Sequence, residues 1–194
     1  NGPFKDLFDF CARVDLKRVN KRTLDGLIRS GALDRLGPYF ELEPKAYQAN
    51  IDRNRSVLLA ALEEAIQAAE QTARSHDSGH ADLFGGLFVE ADADVYANHR
   101  KTRELSLKDR LRGEKETLGL YLTGHPIDEY EGEIRRFARQ RIIDLKPARD
   151  TQTVAGLIIA LRVMKNKKGD KMGFITLDDR SARIEASLFA EAFH

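Results

Sequence analysis

The chain has 194 residues, enough for one large or two small domains, and its 32 Lys and Arg against 31 Asp and Glu leave a net charge of +1. That balance argues neither for nor against a nucleic-acid partner, so only local clusters of basic residues are informative. The single cysteine, Cys11, excludes an internal disulfide and fits a reducing, cytoplasmic setting; no signal peptide and no apolar run long enough to span a bilayer is present.

After Gly2-Pro3, residues Phe4, Leu7, Phe8 and Cys11 fall at i, i+3, i+4 and i+7, which predicts a short helix with one buried face. Cys11 packs there as a small apolar side chain among Phe8, Phe10 and Val14. Asn20 is placed to cap a second helix in which Leu24, Leu27 and Ile28 share a face. Gly31 follows Ser30 where a left-handed residue ends such a helix. Ala32 to Leu36 resumes a helical pattern as far as Gly37-Pro38. Two helices joined by a tight glycine turn offer turn amides and a helix N-terminus to phosphate. Arg13, Lys17, Arg18, Lys21, Arg22 and Arg29 cluster around it; the alternative is a solvated polar face.

Glu41 to Asn50, with Pro44, reads as a loop. From Ile51 onward Leu58, Leu62, Ala65, Ile66 and Ala69 recur at helical spacing, with Arg53, Arg55, Glu63, Glu64, Gln67 and Glu70 between them. A long amphipathic helix ending near Ser75 is expected. Gly79 to Gly86 (GHADLFGG) then sets Leu83-Phe84 among glycines and polar residues, and Glu90 to His99 is acidic and irregular. A greasy pair in that setting is a candidate for burial by a partner, each side chain contributing roughly 1.5 to 3 kcal/mol. Such a short motif suits a tether. The alternative is a structural linker in which Leu83, Phe84, Leu87 and Phe88 pack into their own core.

Ser106 to Leu122 predicts a helix with Leu107, Leu111, Leu118 and Leu122 inward, Lys108, Arg110, Glu114 and Lys115 outward, and Gly124 ending it. Pro126 opens the next, with Ile127, Tyr130, Ile134 and Phe137 as its buried stripe; His125 reads as a structural or capping residue. Beyond Arg139 the period becomes that of strands: Val154 to Val163, Met172 to Leu177 and Arg183 to Phe189. Lys165 to Lys171 (KNKKGDK) is a basic hairpin turn and Asp178-Asp179-Arg180-Ser181 a second turn. Three antiparallel strands with a basic first loop suggest the start of an OB-fold. Lys165, Lys167, Lys168 and Lys171 are then candidates for single-strand contact, with Phe174 and Phe189 for stacking if they face outward. No phosphate-binding Gly-rich loop, zinc-spaced Cys/His cluster or nucleophile signature occurs. Asp178-Asp179 reads as a turn rather than a metal pair. A start at Asn1 without methionine and a stop just after a strand-like run lead to the expectation that this is a piece of a longer polypeptide.

The parts occur in a telling order: NGPFKDLFDF at 1–10, the hairpin through Ser30-Gly31-Ala32, HADLF at 80–84, LGLYLTGHP at 118–126 and TLDDRS at 176–181. Across essentially the whole chain this resembles the C-terminal half of the bacterial replicative DNA polymerase III alpha subunit. HADLF is similar to the pentapeptide with which replication proteins dock on the sliding clamp, with His80 where that pattern has Gln. The resemblance implies an α+β chain: helix-hairpin-helix and clamp-binding regions, then a truncated antiparallel OB-type β-barrel. It implies four parts, 1–38 for duplex contact, 39–102 for the long helix and clamp-binding loop, 103–145 as a helical connector and 146–194 as OB strands. The expected contacts are His80, Asp82, Leu83 and Phe84 on the clamp, and Arg13, Lys17, Arg18, Lys21, Arg22, Ser30 and Gly31 on duplex backbone. The parent is expected to be a DNA-directed DNA polymerase using Mg2+, with its palm carboxylates upstream. This piece is then noncatalytic and without a cofactor, and its partners are DNA, the clamp and other holoenzyme subunits, with no membrane.

Overall fold

The computed structural model describes residues 2–77 and 94–192, which divide into two compact units, Asn1–Thr123 and Gly124–His194. The division runs through the stretch 103–145: its first helix belongs to the helical unit and the remainder to the sheet.

In the first unit, α1 (Leu7–Arg13) starts at Asp6, whose carboxylate accepts the Asp9 N–H, and buries Leu7 and Cys11. α2 (Lys21–Arg29) is capped by the Asn20 side chain accepting from Thr23 N–H, and buries Leu24 and Ile28. It closes as the sequence predicts. Gly31 adopts φ +85°, and the Gly31 and Ala32 amides donate to Ile28 and Leu27, a Schellman ending that only a residue tolerant of positive φ completes without strain. The expected second helix of the hairpin is a single 3-10 turn, Asp34–Leu36.

α3 (Pro44–Asp77) has 34 residues, about 50 Å at 1.5 Å per residue. It begins seven residues before the expected start, within the stretch read as a loop. Pro44 occupies the first turn, where a missing N–H costs nothing, and the Glu43 carboxylate accepts the Ala46 N–H. Val57, Leu58, Ala61, Leu62 and Ala65 of α3 form the core floor under Leu7, Cys11, Leu24 and Ile28. Tyr96 closes that core from the far side of the 78–93 stretch. Its hydroxyl accepts from Leu7 N–H at 2.8 Å and donates to Leu36 C=O at 2.6 Å, satisfying an orphan donor of α1.

α4 (Leu107–Leu118) is capped by Ser106 and ends at Gly119, in the left-handed conformation (φ +77°), five residues before the expected Gly124. Its inward face also differs from the expectation. Arg110 and Glu114 are buried, while Leu118 and Leu122 are exposed. Charge pairing outweighs hydropathy here because Arg55 of α3, expected among the outward residues, is only 1% exposed and needs anions. Its guanidinium donates to both oxygens of Asp34 (Nε at 3.0 and 3.1 Å, Nη2 at 2.9 Å), to Glu114 Oε1 (2.9 Å) and to Arg29 C=O (3.2 Å). Glu114 accepts further from the Thr123 hydroxyl and from the Leu122 and Thr123 amides. Asp34 accepts from the Tyr47 hydroxyl at 2.6 Å; burial first, then this bond, pushes the Tyr47 phenol up to about 12.

In the second unit, His125 caps a 3-10 turn (Pro126–Tyr130), its ring accepting from Ile127 N–H while its own N–H donates to Asp128, which fits the capping role read from sequence. α5 (Glu131–Phe137) follows, then a 3-10 turn at Ile142–Asp144. In the expected stripe Ile127 is buried and Ile134 half-buried, but Tyr130 (54% exposed) and Phe137 (76%) face solvent, since the stripe is split between a 3-10 turn and the short α5 and its four residues do not share one helical face. Strands β1 (Leu157–Lys165), β2 (Lys171–Asp178) and β3 (Arg183–Leu188) form an antiparallel sheet in the order β1-β2-β3. Leu161, Ile175 and Ala186 align across one face, Arg162, Phe174 and Ser187 across the other, and a bulge lies between Ile158 and Ala160. The described residues thus make an α+β chain with an open three-stranded sheet.

Replacing Tyr96 by Phe leaves two buried backbone groups without their partner, so urea denaturation should show a loss of about 1–3 kcal/mol; a midpoint equal to wild type would refute the hydroxyl's bridge between Leu7 and Leu36. A second expectation concerns Glu114. Burial alone raises its carboxyl, but Thr123, Leu122 and Arg55 together hold it below the ordinary glutamate value. A depressed carboxyl contributes stability above its unfolded pKa of about 4.3 and loses it as pH falls through the folded value. Glu114→Gln should therefore cost about 3–5 kcal/mol near neutrality and remove part of the acid-induced loss. Denaturation of both forms at neutral and acidic pH measures this, and identical pH slopes would refute a charged Glu114.

Candidate nucleic-acid interface

The hairpin that sequence marks for phosphate contact is built by α1, α2 and the Gly31 turn, but its amides are engaged. Ser30 N–H donates to Gly26, Gly31 to Ile28, Ala32 to Leu27 and Asp34 to Gly31; the Ser30 hydroxyl donates to Leu27 C=O. A three-residue 3-10 turn also lacks the aligned dipoles of a full helix N-terminus. Beneath the turn lies the Arg55 guanidinium, so close that a Cβ on Gly31 would stand 2.3 Å from Nη2. Ser30 and Gly31 thus set the shape of the hairpin, and side chains are left to meet an anion.

Those side chains differ in availability. Arg13 is held by Asp9 at 2.9 Å and by Gly2 C=O at 2.7 Å, with its guanidinium over the Phe4 ring. Lys21 pairs with Glu63 and Arg29 with Asp25, both at the surface, where such pairs contribute under about 1 kcal/mol and exchange readily. Lys17, Arg18 and Arg22 are exposed and pair with no carboxylate among the described residues. The structure therefore gathers three unengaged cations on the α1–α2 connection and the first turn of α2. Asp34, Arg55 and Glu114 form a supporting network that sequence reading missed. One signal was available: Ile51, Arg55, Leu58 and Leu62 fall at i, i+4, i+7 and i+11, a charge on the core stripe.

The second basic element is the β1–β2 turn. Asn166 organises it, its side-chain oxygen accepting from the Lys168 and Asp170 amides, so that Lys165, Lys167, Lys168 and Lys171 project from a fixed frame. Phe174 lies on the polar face of the sheet, with the Arg162 guanidinium 5.0 Å from its ring centre. Phe189 is exposed. The carboxylates of Asp178 and Asp179 do not fit a metal site. Asp178 pairs with Arg183 and accepts the Arg180 N–H; Asp179 accepts the Ser181, Ala182 and Ile142 amides. Desolvation opposes ionisation of both, and these donors hold both below the usual aspartate value. His80, Asp82, Leu83 and Phe84 lie outside the described residues.

Comparison with known proteins places these features. Residues 1–39 match the helix-hairpin-helix motif family. The whole chain is 89% identical to the DNA polymerase III subunit alpha of Pseudomonas fluorescens, spanning 16% of that protein's length. It is 81% identical to that of Pseudomonas aeruginosa strain PAO1 over 99% of the chain and 16% of the relative. For Escherichia coli K12 the identity is 43%, over 98% of the chain and 15% of the relative. With such identity sustained from end to end, the chain is similar along its whole length to a segment of DNA polymerase III alpha subunits, and it spans about one-sixth of those relatives' length (16% of the first two).

Proposed function

We propose that this chain is a noncatalytic segment of a replicative DNA polymerase that grips duplex DNA by its backbone and tethers the enzyme to the sliding clamp. The observation that carries the reading is the helix-hairpin-helix match at 1–39, set around the unengaged cations Lys17, Arg18 and Arg22. With the hairpin amides bonded internally, the lysine and arginine side chains supply the phosphate contacts, which makes binding independent of base sequence and sensitive to salt. Arg13 and Lys21 join when DNA displaces their surface partners.

In this reading His80, Asp82, Leu83 and Phe84 dock on the clamp, weakly on their own and strongly once DNA holds the same molecule. The open sheet is the beginning of an OB-fold, and Lys165, Lys167, Lys168, Lys171 and Phe174 meet single-stranded template. The surrounding polymerase, with Mg2+ held by palm carboxylates outside this chain, performs nucleotidyl transfer in the cytoplasm alongside the other holoenzyme subunits. Among the described residues no helix is long and apolar enough to cross a membrane.

Changing Lys17, Arg18 and Arg22 together to alanine should weaken duplex binding and flatten the slope of log Kobs against log salt by up to about 0.9 per residue. Fluorescence anisotropy over a salt series reads this; an unaltered slope removes the hairpin from the interface. The double change Leu83→Ala/Phe84→Ala should abolish clamp binding with the thermal transition unmoved. A drop in stability of about 2–5 kcal/mol for either side chain would instead make the pair part of a core.

A further inference from the structure

The stretch from Arg135 to Arg141 (RRFARQR) carries four arginines and no acidic residue. It forms the end of α5 and the chain just beyond it. Three of these arginines, Arg135, Arg139 and Arg141, line a cleft of about 490 Å³ whose opposite wall is the β2–β3 turn with Arg180. Arg180 has φ +73°, the only positive φ at a non-glycine among the described residues. A long side chain held in that conformation is strained, and such outliers concentrate where a side chain is presented for use. Here Arg180 is presented by the Asp178 and Asp179 carboxylates, which bond the turn amides.

The cleft also holds carboxylates, and its use depends on whether they are free to repel an anion. They are engaged: Glu131 by Arg135, Asp144 by Arg141, Asp128 by Arg180 and the His125 N–H, Asp179 by backbone amides. The arginine pairs among these lie at the surface, where a phosphate oxygen competes well for a guanidinium fork. Arg139 is exposed and pairs with no carboxylate among the described residues. Phe137, between the arginines in sequence and 76% exposed, lines an adjoining shallower groove with Tyr130 and Glu133, and Ile134 borders both groove and cleft. Arginines interleaved with an uncovered aromatic ring match what a flexible strand of nucleic acid requires: cations along its phosphates and a flat face for an unpaired base.

We propose that this arginine-walled cleft binds the phosphodiester backbone of single-stranded nucleic acid, with Arg139 and Arg141 on phosphates and Phe137, in the adjoining groove, stacked on a base. The site rests on the reading that this chain works on DNA, and it is separate from the lysine turn. The two lie at opposite ends of β2, which from Lys171 to Asp178 spans about 24 Å. A duplex is a poor occupant because its bases are already stacked and cannot reach Phe137.

The test is fluorescence anisotropy of a labelled oligo(dT) and of a blunt duplex against the full 194-residue chain, over a salt series. Arg139→Ala/Arg141→Ala should weaken oligo(dT) binding and flatten its salt slope by about 1.4, two contacts at roughly 0.7 each. Phe137→Ala should weaken it about fivefold or more with the slope retained. Both should leave duplex binding as in wild type. The hairpin variant at Lys17, Arg18 and Arg22 should do the reverse, so failure of the duplex reading is visible separately. Arg139, Arg141 and Phe137 are all exposed, so an unchanged thermal transition confirms that folding is intact. Oligo(dT) affinity indifferent to the cleft changes, or lost only when Lys165, Lys167 and Lys168 are changed to alanine, overturns the proposal. Competition by inorganic phosphate at equal nucleotide-phosphate concentration, with no effect of Phe137→Ala, identifies a free-phosphate site and overturns it as well.

Discussion

A single buried cation organises the helical unit. Arg55 lies beneath the hairpin with its guanidinium divided between Asp34 in the hairpin and Glu114 in α4, while Arg29 C=O takes a further N–H. Taking three charges out of water costs several kcal/mol for each, and the full set of hydrogen bonds offsets that cost without guaranteeing a net gain. What such a network does supply is a fixed arrangement. Loss of any member strands the others in a low dielectric, so hairpin, α3, α4 and the Leu122–Thr123 turn keep one register. Gly31 follows from the same constraint. Its φ and the 2.3 Å approach of Arg55 Nη2 both exclude a side chain, so the glycine and the arginine are chosen together.

The same packing sets where the chain leaves and rejoins the helical core on either side of the 78–93 stretch. α3 packs against α1 and α2 as far as Ala69 and continues as an exposed helix, and Tyr96 returns to bond both Leu7 and Leu36. The Tyr96 side is thereby anchored directly in the unit that carries Lys17, Arg18 and Arg22. For a tether this is the useful arrangement, because the effective concentration produced by one contact depends on a short and stiff path to the other.

Local signals were the ones the sequence made legible. Asn20, Gly31, Ser106, Pro126 and the strand periods each act within a few residues, and the structure places caps, turns and sheet where they indicate. The misreadings share one cause. Arg55, Arg110 and Glu114 look like solvent-facing residues to any argument from hydropathy, because what buries them is a partner 21 to 59 positions away. Once they occupy the interior, Leu118 and Leu122 are displaced outward and α4 stops at Gly119. Pro44 reads as part of a loop although the first turn of a helix accepts it, which hides seven residues of α3. Tyr96 sits in an acidic stretch without periodicity, and nothing local marks a hydroxyl whose two partners lie 89 and 60 residues away.

Charge is likewise informative only locally. A net charge of +1 gives almost no long-range attraction to a polyanion, and at physiological salt charges more than about 8 Å apart barely sense one another. Yet Lys17, Arg18 and Arg22, the lysines of 165–171, and the arginines of 135–141 are three separate clusters with few acids among them. On the reading proposed above, each would be a weak contact by itself, and binding would come from several engaging one DNA together. Contacts that are weak one by one would suit a segment that must keep moving along DNA, whereas one strongly basic face would arrest it.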